Sequence, residues 1–140
     1  MEKYDKLRTV LDQLDHCHLE CDGMTRVISF LLSLALIPHS VMVGDLTDIR
    51  TKSTIQPHLW INLPEGMIID YRARMWLGDG EDIPNGIFDS TQWGQVRYKG
   101  RECVPFPVND AIGHILASTN GIDINKIVSE LSEINSEFKL

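Results

Sequence analysis

Cysteine is scarce in this chain: three in 140 residues, an odd number that provides no disulfide framework and makes a reducing compartment the default. Long apolar runs are lacking as well. The longest, Val27 to Pro38, falls far short of the roughly 20 residues of a membrane span. The opening residues, Met1-Glu2-Lys3-Tyr4-Asp5-Lys6, are charged and do not lead into a signal-peptide core. Positive charge is the minority, with 13 Lys+Arg against 20 Asp+Glu and a formal net charge of -7. That deficit argues against a surface that tracks nucleic-acid phosphates and against an anionic membrane face. No repeat, low-complexity tract or Gly/Ser/Pro linker divides the chain, so residues 1-140 are expected to form a single domain. Soluble, cytoplasmic and free of nucleic-acid, membrane, metal and cofactor partners is the expectation that follows.

What is present is an ordinary core-forming supply: 43% hydrophobic and 24% charged residues, enough for a core without staples. Tyr4, Leu7, Val10, Leu11 and Leu14 recur at helical spacing. Asp22 to Leu36 predicts a second helix, apolar almost all round from Val27 and ended by Pro38. The period then changes. His39 to Leu46 reads as a strand interrupted by Gly44, and Ile55 to Leu63 with Met67 to Tyr71 as an antiparallel hairpin about Pro64-Glu65-Gly66. Gly78 to Ser90 reads as a loop, and Gly94 to Val104 as a strand or a hairpin turning near Lys99-Gly100. Asn109 is expected to cap a helix over Asp110 to Ser118. A last helix carries the stripe Ile124, Ile127, Val128, Leu131, Ile134 and Phe138. Helices, then antiparallel strands, then helices make the class α+β: buried N-terminal helices packed on an antiparallel sheet, with C-terminal helices.

Three residues stand where chemistry could be done. Cys21 falls at the N-terminus of the most buried predicted helix, where backbone N–H groups and the helix dipole favour a thiolate and could donate to an oxyanion. A free cysteine alone is more often a small buried hydrophobe. His58, in Pro57-His58-Leu59-Trp60, could take a thiol proton and return it to a leaving amine; alone, a strand histidine is more often satisfied by a carbonyl. Asp70 closes the apolar strand Gly66 to Asp70 and needs a partner if buried. A hairpin folded about Glu65-Gly66 pairs positions whose numbers sum to about 131, setting Asp70 near Ile61 and Trp60 and within one or two rungs of His58.

The order of these residues, with Ile37-Pro38, Val41-Met42-Val43-Gly44, His58-Leu59-Trp60 and Ile68-Ile69-Asp70 between and around them, resembles the transglutaminase-like superfamily, a branch of the papain-like cysteine enzymes. The resemblance spans about Cys21 to Tyr71. It implies a papain-like fold, with Cys21 as nucleophile, His58 as base and Asp70 as the acid that orients the imidazole. Leu36 stands where the family usually has glycine, and Tyr71-Arg72 where Pro-Thr is common.

Read together, these residues predict a thiol-dependent enzyme acting on amide or acyl bonds of a peptide or protein substrate. Hydrolysis is the default (a peptidase, an amidase or a glutamine deamidase), with acyl transfer of the transglutaminase kind as the alternative. A non-enzymatic protein-binding module on the same fold is the competing class. A zinc site from His16, Cys17, His18 and Cys21 is disfavoured, since neither helical nor extended spacing gathers all four on one face. His16 or His18 is expected to line the cleft mouth beside Cys21, and either of them, or Gln13, could also be a side-chain donor to an oxyanion. Trp60 is expected to pack, Trp76 beside Arg72 and Arg74 is undecided, and Cys103 and His114 read as structural.

Overall fold

A computed structural model describes residues 2-103 and 110-138. Helix α1 (Glu2–Leu11) leads through a 3-10 turn and an irregular stretch to α2 (Cys21–Leu34). Strands β1 (Ser40–Asp48), β2 (Ser53–Asn62) and β3 (Met67–Asp70) follow. A short helix α3 (Ala73–Leu77) then precedes β4 (Gly86–Asp89) and β5 (Val96–Glu102). Helices α4 (Asp110–Thr119) and α5 (Ile124–Ser132) close the described chain with a final 3-10 turn. The class is α+β, with one five-stranded sheet in the order β4-β3-β2-β1-β5 and every neighbouring pair antiparallel.

The helical stripes bury where their spacing predicts. Tyr4, Leu7, Val10, Leu11 and Leu14 join Val27, Ile28, Leu31 and Leu32 of α2, and Ile127, Leu131, Ile134 and Phe138 of the C-terminal elements, in one core. Val41, Ile61, Met67, Ile69 and Ile87 supply the sheet's side of it. The alternate residues of the same strands point the other way. Trp60, Ile68 and Phe88 form a second, aromatic cluster with Met42, Trp93 and Tyr98 packed against it.

α2 begins one residue earlier and ends two earlier than the sequence pattern predicts. Its end is a left-handed stop rather than Pro38: Leu36 sits at φ 61, its N–H bonds Ser33 O and that of Ile37 bonds Leu32 O. That is the bonding of a Schellman cap, in which glycine is usual because it has no Cβ to crowd the carbonyl. Here a leucine takes the position with its side chain in water, 72% exposed.

One expectation is corrected and two open readings are decided. Gly78 to Ser90 is not wholly a loop: Gly86–Asp89 is the edge strand β4, whose four residues pair with β3, and a strand so short, opened by a positive-φ Gly86, carries almost no periodic signal. Of the two readings of Gly94 to Val104, the strand holds over Val96–Glu102, with no turn at Lys99-Gly100. Gly100 lies within β5 opposite Gly44, and each glycine is required by the other strand, since a Cβ on Gly44 would collide with Lys99 O and one on Gly100 with Val43 O. The surroundings of Trp76 are set by the short helix α3. α3 leaves Trp76 53% exposed while Arg72 is buried. Asn109 lies outside the described residues.

Candidate functional site

The sheet assembles one half of the site. β2 and β3 pair Ile61 with Ile69 and Asn62 with Ile68, one residue away from the expected register. Continued one rung, this sets Asp70 across from Trp60. The shift matters because cross-strand partners share a face and a one-residue slip exchanges faces. Asp70 therefore lies on the face of Trp60 and, two residues along, of His58. The His58 ring donates from Nε2 to Asp70 Oδ2 at 2.7 Å, with His58 0% and Asp70 4% exposed.

Asp70 has two further donors. The Tyr98 hydroxyl reaches the same Oδ2 at 2.7 Å, and the backbone N–H of Arg72 reaches Oδ1 at 2.9 Å. The carboxylate is thus held on both oxygens. Trp60 stacks on the His58 ring at 6.1 Å with planes 24° apart, and meets Tyr98 edge-on at 5.0 Å. The indole N–H is satisfied by Asn62 Oδ1 at 3.1 Å. Trp60 packs, as expected, and it packs on the imidazole. Burial also pushes the Tyr98 hydroxyl well above its ordinary pKa, with the Asp70 charge adding to the effect, so it stays a donor at any physiological pH.

The other half is α2. Cys21 is its first residue, half-buried, and Glu20 before it makes no side-chain cap, so that side chain does not occupy the amides of the first turn. Asp22 accepts instead from the next amide, Gly23 N–H, at 2.8 Å. Burial disfavours an imidazolium at His58, but the hydrogen bond to Asp70 and the neighbouring Cys21 sulfur outweigh it and lift the ring's pKa to about 9. Asp70 engages Nε2; Nδ1 is buried and has no hydrogen-bond partner among the described residues. A buried ring nitrogen without a partner is uncommon.

Cys21, His58 and Asp70, separated by up to 49 positions in sequence, are thus neighbours in space. The other candidates are not part of the group. Gln13 is engaged with the C-terminal helix, donating to Glu130 at 3.2 Å and accepting from Lys126 at 3.2 Å. His16 and His18 are exposed. Cys17 is buried, and burial pushes its thiol up, Asp15 adding to and Arg72 opposing the shift. Among the described residues no group of three or more His, Cys, Asp or Glu is arranged to hold a metal ion. Half-buried Cys103 packs against the main core, and exposed His114 meets Ser118 Oγ at 3.3 Å.

Two residues at the site carry no sequence signal. Tyr98 reaches Asp70 only because β5 lies across β1 from the hairpin. Arg72 lies buried between Asp70 and the stretch before Cys21, its guanidinium contacting Asp15, Cys17, Leu19 and Tyr71. Two open cavities flank that stretch and share His18 and Leu19. One of about 360 Å³ is bounded by Arg72, Arg74 and Asn85; the other, about 630 Å³, by Gly23, Ile112 and Leu116.

Comparison with protein-family models, with curated proteins and with solved structures finds no match to this chain. Among the described residues no helix is long and apolar enough to cross a membrane.

Proposed function

We propose that this chain is a cysteine enzyme acting on amide or acyl bonds, with a papain-like fold of the transglutaminase-like type. The reading rests on one observation above the rest: a buried imidazole fixed through Nε2 by a carboxylate, its Nδ1 unpartnered, beside a thiol that opens a buried helix.

In this reading Cys21 and His58 form a thiolate–imidazolium pair. The sulfur attacks the substrate carbonyl carbon, forming the S–C bond, and the carbonyl π electrons move to oxygen. The oxyanion takes a hydrogen bond from the Cys21 backbone N–H at the start of α2. As the tetrahedral adduct collapses, the C–N bond breaks and the leaving amine takes the proton from His58 Nδ1. Neutral His58 then removes a proton from water, which attacks the thioester carbonyl; the acid leaves and the thiolate–imidazolium pair returns. Asp70 holds the ring in orientation through Nε2. Hydrolysis is the proposed outcome, since water needs no second binding site, and a peptide or protein side-chain amide the proposed substrate.

Alkylation by iodoacetamide across pH, read by mass spectrometry at each cysteine, tests the reading. Cys21 is expected to react below neutrality faster than a free thiol of pKa about 8.5, and His58→Gln to abolish the excess. A Cys21 rate equal to that of a free thiol, unchanged in His58→Gln, refutes it.

A further inference from the structure

We propose that Arg72 is a positioning residue that sets Cys21 against His58, by tying the stretch before α2 to the strand end that carries Asp70. The inference rests on the thiol-enzyme reading above and names what aligns its two halves.

Residues 15 to 20 belong to no helix and no strand, so no backbone ladder fixes them. Short-range backbone bonds hold the turns of this stretch (Asp15 N–H to Asp12 O, Cys17 N–H to Leu14 O, Leu19 N–H to Cys17 O), and a single guanidinium ties it to the strand end. Arg72 Nη2 donates to Asp15 O at 3.2 Å and to Cys17 O at 2.8 Å, and Nε donates to Leu19 O. Carbonyls two residues apart, at 15, 17 and 19, therefore converge on one planar group. Nη1 completes the set with Asp15 Oδ1 at 2.9 Å and Tyr71 O at 2.6 Å. From the same residue, the backbone N–H holds Asp70 Oδ1 at 2.9 Å. One chain of contacts from carboxylate to thiol thus runs through this side chain, two residues from Asp70 and two residues short of Cys21, beside the contact of α2 with β2 through Thr25 Oγ1 and Leu59 O.

The charge balance indicates more than anchoring. Arg72 is 6% exposed, and its one carboxylate partner among the described residues, Asp15, has a side chain 41% exposed. Burying a cation with a half-solvated partner is expensive, and a buried ion pair is weak evidence for stability. Most of its donors go to main-chain carbonyls of an irregular segment. Arginine is suited to this because its donors lie in a rigid fork, whereas lysine offers a compact point charge.

The test is the pH profile of Cys21 alkylation by iodoacetamide, with half-buried Cys103 of the same molecule as the internal reference and circular dichroism for the fold. In Arg72→Lys, charge is kept and the fork is lost. The His58-dependent part of the Cys21 rate near pH 6 is expected to fall about tenfold or more, while Cys103 and the fold are unchanged. In Arg72→Ala, free guanidinium at non-denaturing concentration is expected to restore part of the rate, which a merely stabilising residue would not show. A folded Arg72→Lys whose Cys21 profile matches the natural chain overturns the proposal. If both variants lose the fold, Asp15→Asn, which weakens the grip on the guanidinium, is the deciding variant. A profile altered at Cys21 alone supports the proposal, and an unchanged one overturns it. Failure of the underlying reading is distinct: the natural chain would then show no His58-dependent excess to lose.

Discussion

The two halves of the site are built in opposite ways. The imidazole and its carboxylate stand on adjacent strands and are buried, sharing a sheet face with Trp60 and Tyr98. The thiol opens a helix, half-buried, behind a stretch with no regular structure. Strand register positions the first half through many backbone bonds that no single side chain controls. In the second half, α2 is seated by its buried face, and the stretch before Cys21 is held by a few backbone and side-chain hydrogen bonds. The contrast suggests that the sheet half resists perturbation and fails all at once, whereas the thiol half is tuned by single substitutions.

The sharpest break is Asp70→Ala. It removes the acceptor of the His58 ring, the Tyr98 hydroxyl and the Arg72 amide together, and leaving buried donors unsatisfied costs roughly 1–3 kcal/mol each before relaxation. A loss of about 3 kcal/mol in urea unfolding is expected, along with any excess reactivity of Cys21. A loss under about 1 kcal/mol would show the sheet half to be less integrated than its geometry implies.

A smaller effect is expected from pH. The His58 pKa rises from an ordinary 6.5 to about 9 on folding, so the folded state binds the proton more tightly. Its contribution is full below about pH 6.5 and is lost as pH rises through about 9. Urea midpoints are expected to fall over that window in the natural chain and to fall less in His58→Gln. Equal slopes in the two would remove the pair from the stability account.

Tyr98→Phe separates orientation from packing. The ring contacts with Trp60 and Phe88 remain, and one hydrogen bond is lost, for about 1 kcal/mol. Without that donor the Asp70 charge is less shared, so His58 is expected to hold its proton more tightly. An upward move of the His58 titration, followed by imidazole proton resonances, checks the sign. The mildest change, Leu36→Gly, lies at the far end of α2 from Cys21. Releasing a left-handed leucine is expected to raise stability by up to about 1 kcal/mol without altering the Cys21 alkylation profile. A changed profile would mean that strain at one end of the helix reaches the other.

Much of this was legible before any coordinates. The stripes of α1, α2 and α5 predict their buried faces because helical periodicity is a local property, and the alternation of β2 and β3 shows His58 and Trp60 on one face for the same reason. The hairpin's existence was legible; its register was not, because a 3-10 turn with Glu65 at φ 68 sets it. β4 was missed because four residues opening on a glycine hold too little pattern. Its place is settled by pairing with β3.

Taken alone, the sequence determined the apolar faces, the α+β class and the chemical types at positions 21, 58 and 70, all of which depend on residues close together in the chain. Only the folded molecule decided that Tyr98 meets Asp70 and that Arg72 gathers the carbonyls before Cys21. Those contacts join segments 28 residues apart in one case and more than 50 in the other. They arise from strand order and chain crossing, which short-range periodicity does not encode.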